Sequence, residues 1–349
     1  MSILKKEIYE QPNVIQTVLD EEAKNITQIT QNIFNPLSKK LPTYIMIAAR
    51  GTSDNAARYA QYVLGSYNRL PVTLATPSLF TLYNRPPNLK DSFVIGISQS
   101  GKSPDIIELL AEAKRQGQPT LAITNEVESP LSKTADYVIN LHAGFEKATA
   151  ATKTYTASLT ALALLSICIE NNGQRLSELH NVPEWMRQEL SLIETHLAGV
   201  ERYRYMDHCV VIGRGYNYAT AFEIALKIKE LTRTITEPFS SADFRHGPIA
   251  MARDGFPVMV IAPAGKASAD IYNLSMDVKQ RKAELLMVSE NADLLNASNL
   301  GFPLPQGIPE WLSPLISIIP GQLFAFTLAQ LRGFDPDQPH GITKITETR

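Results

Sequence analysis

Short apolar stretches rich in β-branched residues alternate with longer amphipathic stretches along most of the chain. In the first half, the apolar stretches predict three buried strands, at residues 44–48, 93–97 and 120–123. The segments between these strands, residues 55–64 and 105–116, predict helices. This alternation is typical of parallel βαβ units.

The second half of the chain repeats the first at a constant offset. Its apolar stretches predict strands at residues 210–213, 258–262 and 284–288. Three segments at strand ends match segments 164 residues later without gaps: 50–53 with 214–217, 98–103 with 262–267, and 122–126 with 286–290. One offset at three separate strand ends indicates two copies of one α/β domain.

The length of 349 residues suits two domains of ordinary size. We expect an N-terminal arm at residues 1–20, a first domain at residues 21–177 and a second domain at residues 187–334. The polar residues 178–186 are the expected linker, and residues 335–349 are expected to form a C-terminal tail.

Composition and charge exclude several classes of protein. Hydrophobic residues make up 44% of the chain and charged residues 19%, as in folded globular proteins. The 33 basic and 35 acidic side chains give a net charge of −2, so neither a strongly basic nucleic-acid binder nor a polybasic membrane binder is expected. Cys168 and Cys209 are too few for a disulfide scaffold or a cysteine zinc site. We find no apolar leader core and no run of about 18 apolar residues, so we expect a soluble, cytoplasmic protein.

The two copies differ at the carboxyl ends of their strands, where open parallel sheets bind ligands. In the first copy, residues 98–103 (SQSGKS) follow a strand and precede a predicted helix. Hydroxyls, backbone N–H groups and a helix dipole converge there, which suits a phosphate, and Thr52 and Ser53 add hydroxyls at the neighbouring strand end. The second copy has Ala-Pro-Ala-Gly at the matching residues 262–265 and offers no hydroxyl. The alternative is that residues 103–105 only cap a helix after a turn.

These motifs resemble those of the sugar isomerase (SIS) domain, a flavodoxin-like αβα sandwich that binds phosphosugars. The similarity covers about residues 20–349 and is to the isomerase half of glucosamine-6-phosphate synthase. It rests on segments in the same order as in that family: Arg50-Gly51-Thr52-Ser53, Ser98-Gln99-Ser100-Gly101, Glu146 with Thr152-Lys153, residues 223–230 (EIALKIKE), His246-Gly247-Pro248, and Asp337-Gln338-Pro339 with Lys344. The resemblance implies an α/β fold of two tandem SIS domains, each with a parallel sheet.

The chain also departs from the synthase pattern, which puts its sugar specificity in doubt. The synthase has Cys at the position of Arg50, and Glu-Thr where this chain has Lys102-Ser103. Ala151 replaces a sugar-facing Ser, and His340-Gly341 replaces Arg-Asn. The phosphate-binding set is retained, since Ser103 supplies the hydroxyl of the absent Thr.

The synthase carries an N-terminal glutaminase half whose nucleophile is the cysteine after Met. Here residue 2 is Ser and the first cysteine is Cys168, so we expect this chain to release no ammonia from glutamine. An isomerase domain of this type standing alone is similar to the SIS-type glucosamine-6-phosphate deaminases, which form fructose 6-phosphate and ammonia. The alternative is a fructosamine-6-phosphate deglycase, which cleaves the same kind of C–N bond in a larger adduct.

The resemblance also implies which residues bind substrate and which carry the chemistry. The implied substrate- and phosphate-binding positions are Gly51, Thr52, Ser53, Ser98, Gln99, Ser100, Ser103, Thr149, Ala151 and Thr343. Glu230 is the implied proton shuttle, with Lys227 as its electrostatic neighbour and Glu223 as an orienting group. Their spacing of four and three residues places them on one helix face. Spacing alone favours the alternative, a solvated ladder of ion pairs.

His246 and Lys344 complete the implied catalytic set. In the synthase, the matching His opens the sugar ring from the neighbouring subunit, so the resemblance implies an obligate homodimer. The matching Lys forms a Schiff base with the keto-sugar, and here Lys344 is expected to bind the open chain or capture the ketose product as the tail folds over the site. The alternative is that neither residue is catalytic, with His246 structural and Lys344 a solvated tail residue. The reaction has no redox step, so no cofactor or metal is implied.

Two functional classes remain, an amino-sugar-phosphate isomerase/deaminase and a non-catalytic phosphosugar sensor. A sensor needs the serine-rich loop but has no use for Glu230, His246 and Lys344 together. A sensor coupled to transcription would also carry a DNA-binding helix-turn-helix, and only about 40 residues precede the first predicted strand. We therefore expect an enzyme, with a small phosphosugar as its partner.

Overall fold

The computed structural model describes residues 2–35, 37 and 41–344, and its contacts divide the chain into two compact units. The N-terminal unit contains Asn13–Glu146, Lys153–His180 and Thr343–Arg349. The C-terminal unit contains Met1–Pro12, Lys147–Thr152 and Asn181–Ile342. Each unit therefore combines segments that are far apart in the sequence.

The N-terminal unit is built on a parallel sheet of five strands. The strands are β1 (Tyr44–Ala48), β2 (Val72–Leu74), β3 (Ser92–Ile97), β4 (Thr120–Thr124) and β5 (Tyr137–Asn140), in the order β2-β1-β3-β4-β5. The helices are α1 (Ile3–Ile33, which begins in the other unit), α2 (Thr52–Tyr67), α3 (Ser78–Thr81), α4 (Pro104–Arg115), α5 (Pro130–Thr134), α6 (Lys153–Glu170) and α7 (Gly173–Leu179). This strand order is that of flavodoxin-like doubly wound folds.

The C-terminal unit has a second parallel sheet of five strands. Its strands are β6 (His208–Gly213), β7 (Ile235–Ser240), β8 (Pro257–Ile261), β9 (Glu284–Ser289) and β10 (Leu300–Pro303). Its helices are α8 (Val182–Ile193), α9 (Asn217–Thr232), α10 (Ser241–Arg245), α11 (Ser268–Gln280), α12 (Ala292–Ala297) and α13 (Ser313–Leu331), with 3₁₀ turns at Leu197–Tyr203 and Pro248–Met251. The order β10-β9-β8-β6-β7 is the order of the first sheet read from the opposite edge. The predicted fold of two tandem α/β units is confirmed.

The repeat inferred from the sequence is also visible in the element boundaries. Strands β1 and β6 begin at Tyr44 and His208, and helices α4 and α11 begin at Pro104 and Ser268, each pair 164 residues apart. The six predicted strands correspond to β1, β3 and β4 and to β6, β8 and β9. The predicted linker, residues 178–186, falls on the end of α7 and the start of α8.

Helix α13 forms much of the core of the C-terminal unit. By length and composition this helix could cross a membrane, since its most apolar 18-residue stretch has a mean hydropathy of 1.4. However, 83% of that stretch is buried inside the protein. Gly321 allows α13 to lie directly on α9, because a Cβ at that position would lie 2.2 Å from Ile224 Cγ1. The packing of α13 therefore fixes the helix that carries Glu223, Lys227 and Glu230.

Candidate functional site

The serine-rich loop of the N-terminal unit connects β3 to α4. Ser98 is buried at the end of β3, and its Oγ lies 3.3 Å from the Oγ of Ser103. Ser103 occupies the N-cap position of α4, yet its side chain accepts no hydrogen bond from the helix. By contrast, Ser129 at the N-cap of α5 accepts the amide of Ser132. The side chain of Ser103 is therefore turned toward Ser98 rather than used as a helix cap.

A glycine sets the shape of this loop. Gly101 has a φ of +59°, in the left-handed region that favours glycine. A Cβ there would also lie 2.0 Å from Ser129 Oγ, so any side chain would displace the following loop. The Gly101 carbonyl accepts the amide of Leu131 at 3.1 Å, which ties the turn to α5.

The neighbouring strand end brings a second helix N-terminus toward the same edge of the sheet. Gly51 has a φ of +53°, and Thr52 and Ser53, both half-buried, open α2 without a side-chain cap at Gly51. Arg50 Nε donates to Asp105 Oδ2 at 2.7 Å, and this aspartate is fully buried in the first turn of α4. Arg50, which departs from the synthase pattern, thus links the starts of α2 and α4.

A buried glutamate in the segment between β5 and α6 pairs with the C-terminal lysine of the predicted set. Glu146 is 1% exposed and accepts hydrogen bonds from the Thr154 amide at 3.2 Å and the Thr154 hydroxyl at 2.9 Å. Lys344 Nζ lies 2.8 Å from Glu146 Oε2, so Lys344 is not a solvated tail residue. Thr343 beside it is exposed. No role was predicted for Glu146, although it belongs to one of the matched segments.

In the C-terminal unit, the three charged residues of α9 form a buried network. Lys227 Nζ lies 2.5 Å from Glu230 Oε2 and 3.4 Å from Glu223 Oε1. The side chains of Lys227 and Glu223 are 1% and 0% exposed, whereas that of Glu230 is 23% exposed. Burial alone would lower the pKa of Lys227, but the two carboxylates outweigh it and hold that pKa well above its usual value. The solvated ion-pair ladder that spacing favoured is therefore wrong.

Glu230, the exposed end of this network, borders a pocket of about 230 Å³. The other wall is formed by residues that follow α13. These are Gly333, Phe334, Asp335, Gln338, Pro339 and His340. The polar residues near the chain end thus line the same pocket as the carboxylate that the sequence singled out. Residues 345–349 of the predicted tail lie outside the described part of the chain.

Asp337 fixes the position of this C-terminal segment. Its carboxylate accepts the amides of Leu4 at 2.8 Å and Ile3 at 3.0 Å, and the hydroxyl of Ser2 at 2.6 Å. Burial opposes ionisation, but these hydrogen bonds prevail and lower the pKa of Asp337. The Asp337 carbonyl accepts both the amide and the hydroxyl of Thr149. Thr149, predicted to bind the substrate, thus makes hydrogen bonds with the C-terminal segment.

The remaining predicted site residues make fewer contacts that bear on their predicted roles. His246 follows α10 and is exposed, and its side chain makes no hydrogen bond with any residue that the structure describes. No hydrogen bond or ion pair within the described ranges joins it to Glu230. Gln99 and Ser100 are half-buried in the serine-rich loop, and Ala151 is half-buried between Thr149 and α6.

Comparison with known proteins identifies the family. The SIS domain family matches residues 42–167 and 204–332, one segment in each half of the chain. The chain belongs to the SIS domain family. The resemblance found in the sequence motifs is confirmed, and the repeat corresponds to two SIS domains.

Several known proteins are similar to this chain over nearly all of its length. A glutamine–fructose-6-phosphate aminotransferase (isomerizing) from Aquifex aeolicus is 34% identical over 342 residues, covering 97% of this SIS chain and 56% of the relative. The C-terminal domain of glucosamine-fructose-6-phosphate aminotransferase from Francisella tularensis has a TM-score of 0.87 at 26% identity, covering 97% and 98% of the two chains. A glucosamine-6-phosphate deaminase from Thermotoga maritima shares the fold, with a TM-score of 0.79 at 22% identity over 99% and 100% of the chains. The SIS chain spans little more than half the length of the curated relatives it matches.

Proposed function

We propose that this SIS protein is a phosphosugar aldose–ketose isomerase that acts as a deaminase, converting glucosamine 6-phosphate and water to fructose 6-phosphate and ammonia. Its family membership and the names of its relatives support a phosphosugar as the substrate. We infer the deaminase direction because the chain presents acid/base groups and the substrate brings its own nitrogen.

The buried charge network on α9 carries the proposal. Burying an ammonium costs several kcal/mol unless it is paired, and here two carboxylates pair with Lys227. Such an arrangement holds Glu230 in one position with an ammonium 2.5 Å away, while part of its side chain faces a pocket. A carboxylate that is held in one position and is accessible from a pocket is suited to moving a carbon-bound proton.

The serine-rich loop supplies the proposed phosphate anchor. Ser98 and Ser103 hold their hydroxyls 3.3 Å apart, and Ser103 keeps its side chain free of the capping role that its position would allow. The α4 helix has 12 residues, so its N-terminal dipole favours an anion at this point. An anchored phosphate fixes the rest of the sugar for reaction, which converts binding into a favourable orientation.

The proposed chemistry has three steps. His246, contributed by a second copy of the chain, assists ring opening to the free aldehyde. Glu230 then takes the proton from C2 while the aldehyde oxygen O1 gains a proton, which gives an enolamine. Glu230 returns its proton to C1 as the nitrogen loses one, so that an imine forms at C2 with a CH₂OH group at C1. Water adds to the imine carbon, and collapse of the carbinolamine expels ammonia and leaves the ketone. Lys344, paired with Glu146, is proposed to hold the open chain.

The test is to incubate the purified chain with a panel of 6-phosphosugars, including fructosamine 6-phosphate adducts, and to assay released ammonia and ketose. We expect ammonia from glucosamine 6-phosphate and neither hydrolysis of glutamine nor amino sugar made from it. Saturable binding of phosphosugars without turnover would instead identify a sensor. Turnover of the larger adducts in preference to glucosamine 6-phosphate would identify a deglycase.

A further inference from the structure

The C-terminal unit has its own version of the serine-rich loop, and its amides are already occupied. Residues 262–267 connect β8 to α11 in the same place in the repeat. The Lys266 amide donates to Glu310 Oε2 at 2.8 Å, and the Ala267 amide donates to Glu310 Oε1 at 3.4 Å. A Cβ on Gly265 would lie 2.3 Å from Glu310 Cδ, so this carboxylate lies directly on the loop. An internal anion thus takes the place that a phosphate would need.

Beside this loop lies a pocket of about 270 Å³ that belongs to neither feature of the proposed active site. Glu290, just after β9, lines it. One carboxylate oxygen, Oε1, accepts the Ala264 amide at 2.6 Å. The other, Oε2, is buried and has no hydrogen-bond partner among the residues that the structure describes. Burial raises the pKa of Glu290 despite the hydrogen bond from Ala264.

The charge of this pocket selects its ligand. Glu310 and Glu290 both place carboxylates at the loop, so a phosphate would meet repulsion as well as occupied amides. A carboxylate in the wall of a pocket pairs best with a cationic N–H donor, because a charge-assisted hydrogen bond is stronger than a neutral one. Tyr272 and Gln306 line the same pocket and add a hydroxyl and an amide, groups that hydrogen-bond the hydroxyls of a ligand.

We propose that this pocket is a second small-molecule site, which binds a hydroxylated primary amine such as an unphosphorylated amino sugar, with the ammonium group on Glu290. Its volume is smaller than that of pockets for drug-sized ligands and suits a single sugar ring. The site lies outside the proposed reaction and does not depend on it.

The probe is glucosamine, titrated into the full chain by calorimetry, with N-acetylglucosamine as the ligand that keeps the ring but loses the charge. We expect saturable glucosamine binding with a Kd in about the millimolar range, and binding of N-acetylglucosamine weaker by about tenfold or more. Inorganic phosphate should not displace glucosamine. Equal affinity for the two sugars, or no saturable glucosamine binding, would overturn the proposal.

Variants locate the site. Glu290→Gln should weaken glucosamine binding by about tenfold or more, as expected for a lost charge-assisted hydrogen bond. The matched control is Glu126→Gln, which changes the residue 164 positions earlier in the N-terminal unit and should leave glucosamine binding intact. Release of ammonia from glucosamine 6-phosphate should be unchanged in Glu290→Gln. Failure of the glucosamine-binding test therefore leaves the proposed function standing, and failure of the ammonia assay leaves the second site standing. Glucosamine binding unaltered by Glu290→Gln would place the ligand elsewhere.

Discussion

Helices α2 and α9 occupy matching places in the two units but bury different chemistry on the same face. The positions of Glu223, Lys227 and Glu230 in α9 correspond to Tyr59, Val63 and Ser66 in α2. Tyr59 and Val63 are fully buried, as are Glu223 and Lys227. On this helix face the N-terminal unit therefore has ordinary core residues, whereas the C-terminal unit has an ammonium between two carboxylates. Because the fold is built equally well without those charges, their presence in α9 points to function.

The loops after β3 and β8 also occupy matching places in the two units but carry different side chains. In the N-terminal unit the loop has hydroxyls, and its proposed ligand is an external phosphate. In the C-terminal unit Glu310 fills that position from within the chain. A duplicated backbone can thus keep a binding geometry while the charge of a few side chains decides what it accepts.

The comparison predicts its largest effect for Lys227→Met. Removing the ammonium leaves Glu223 buried without its cation, so we expect the free energy of unfolding to fall by about 3–5 kcal/mol. Replacing both residues, as Glu223→Leu with Lys227→Met, copies the apolar character of Tyr59 and Val63 and should recover most of that stability without activity. Denaturant unfolding measures both variants. Unchanged stability in the single variant would contradict a buried ion pair.

Glu230→Gln separates catalysis from stability. The amide keeps the shape but cannot accept a proton from carbon, so we expect turnover to fall by about 10²-fold or more. Phosphosugar binding should stay near that of the unmodified chain, as measured by calorimetry. Ser66→Ala, at the matching position in α2, should change the rate little. A fully active Glu230→Gln protein would remove Glu230 from the mechanism.

His246 tests whether activity depends on a second copy of the chain. Its matching residue is the exposed Leu82, so Leu82→Ala serves as the control and should remain active. His246→Ala should lose most activity, since ring opening is impaired. Mixed dimers of inactive His246→Ala and inactive Glu230→Gln chains should regain part of the activity, because one site per dimer then has both groups. Intact mixed dimers without rescue would place His246 in its own chain's site or outside the mechanism.

The smallest effect is expected for the two loops. Ser100→Ala should raise KM by about tenfold with little change in kcat, because the phosphate anchor acts in the ground state and the transition state alike. Ala264→Ser, at the matching position, should alter neither constant, since Glu310 already occupies that loop. Steady-state kinetics measure both. If Ser100→Ala left KM unchanged, the phosphate would bind elsewhere.

The sequence predicted the centre of each sheet and missed its edges. All six predicted strands are inner strands, whose residues are almost entirely buried and therefore apolar in succession. The four that were not predicted, β2, β5, β7 and β10, are the edge strands of the two sheets. Edge strands are partly exposed, so their side chains do not form the apolar runs on which such predictions depend.

At the candidate site, spacing showed which side chains share a helix face but not how deeply they are buried. The spacing of Glu223, Lys227 and Glu230 correctly placed the three side chains next to one another on α9. The same spacing favoured a solvated ladder of ion pairs, whereas the network is largely buried. Contacts between distant segments had no local signal at all. Glu310 reaches a loop 44 residues earlier, and Glu146 meets Lys344 across 198 residues. Such pairs depend on the tertiary fold, which no short pattern encodes.

The contact between Asp337 and the first turn of α1 has a consequence for the order of events during synthesis. Ser2, Ile3 and Leu4 are synthesised 333 to 335 residues before the carboxylate that binds them. At typical rates of translation, that interval lasts roughly 17 to 70 s. Throughout that time the start of α1 lacks its partner. The unit that contains the start of α1 therefore cannot be completed until Asp337 has been synthesised.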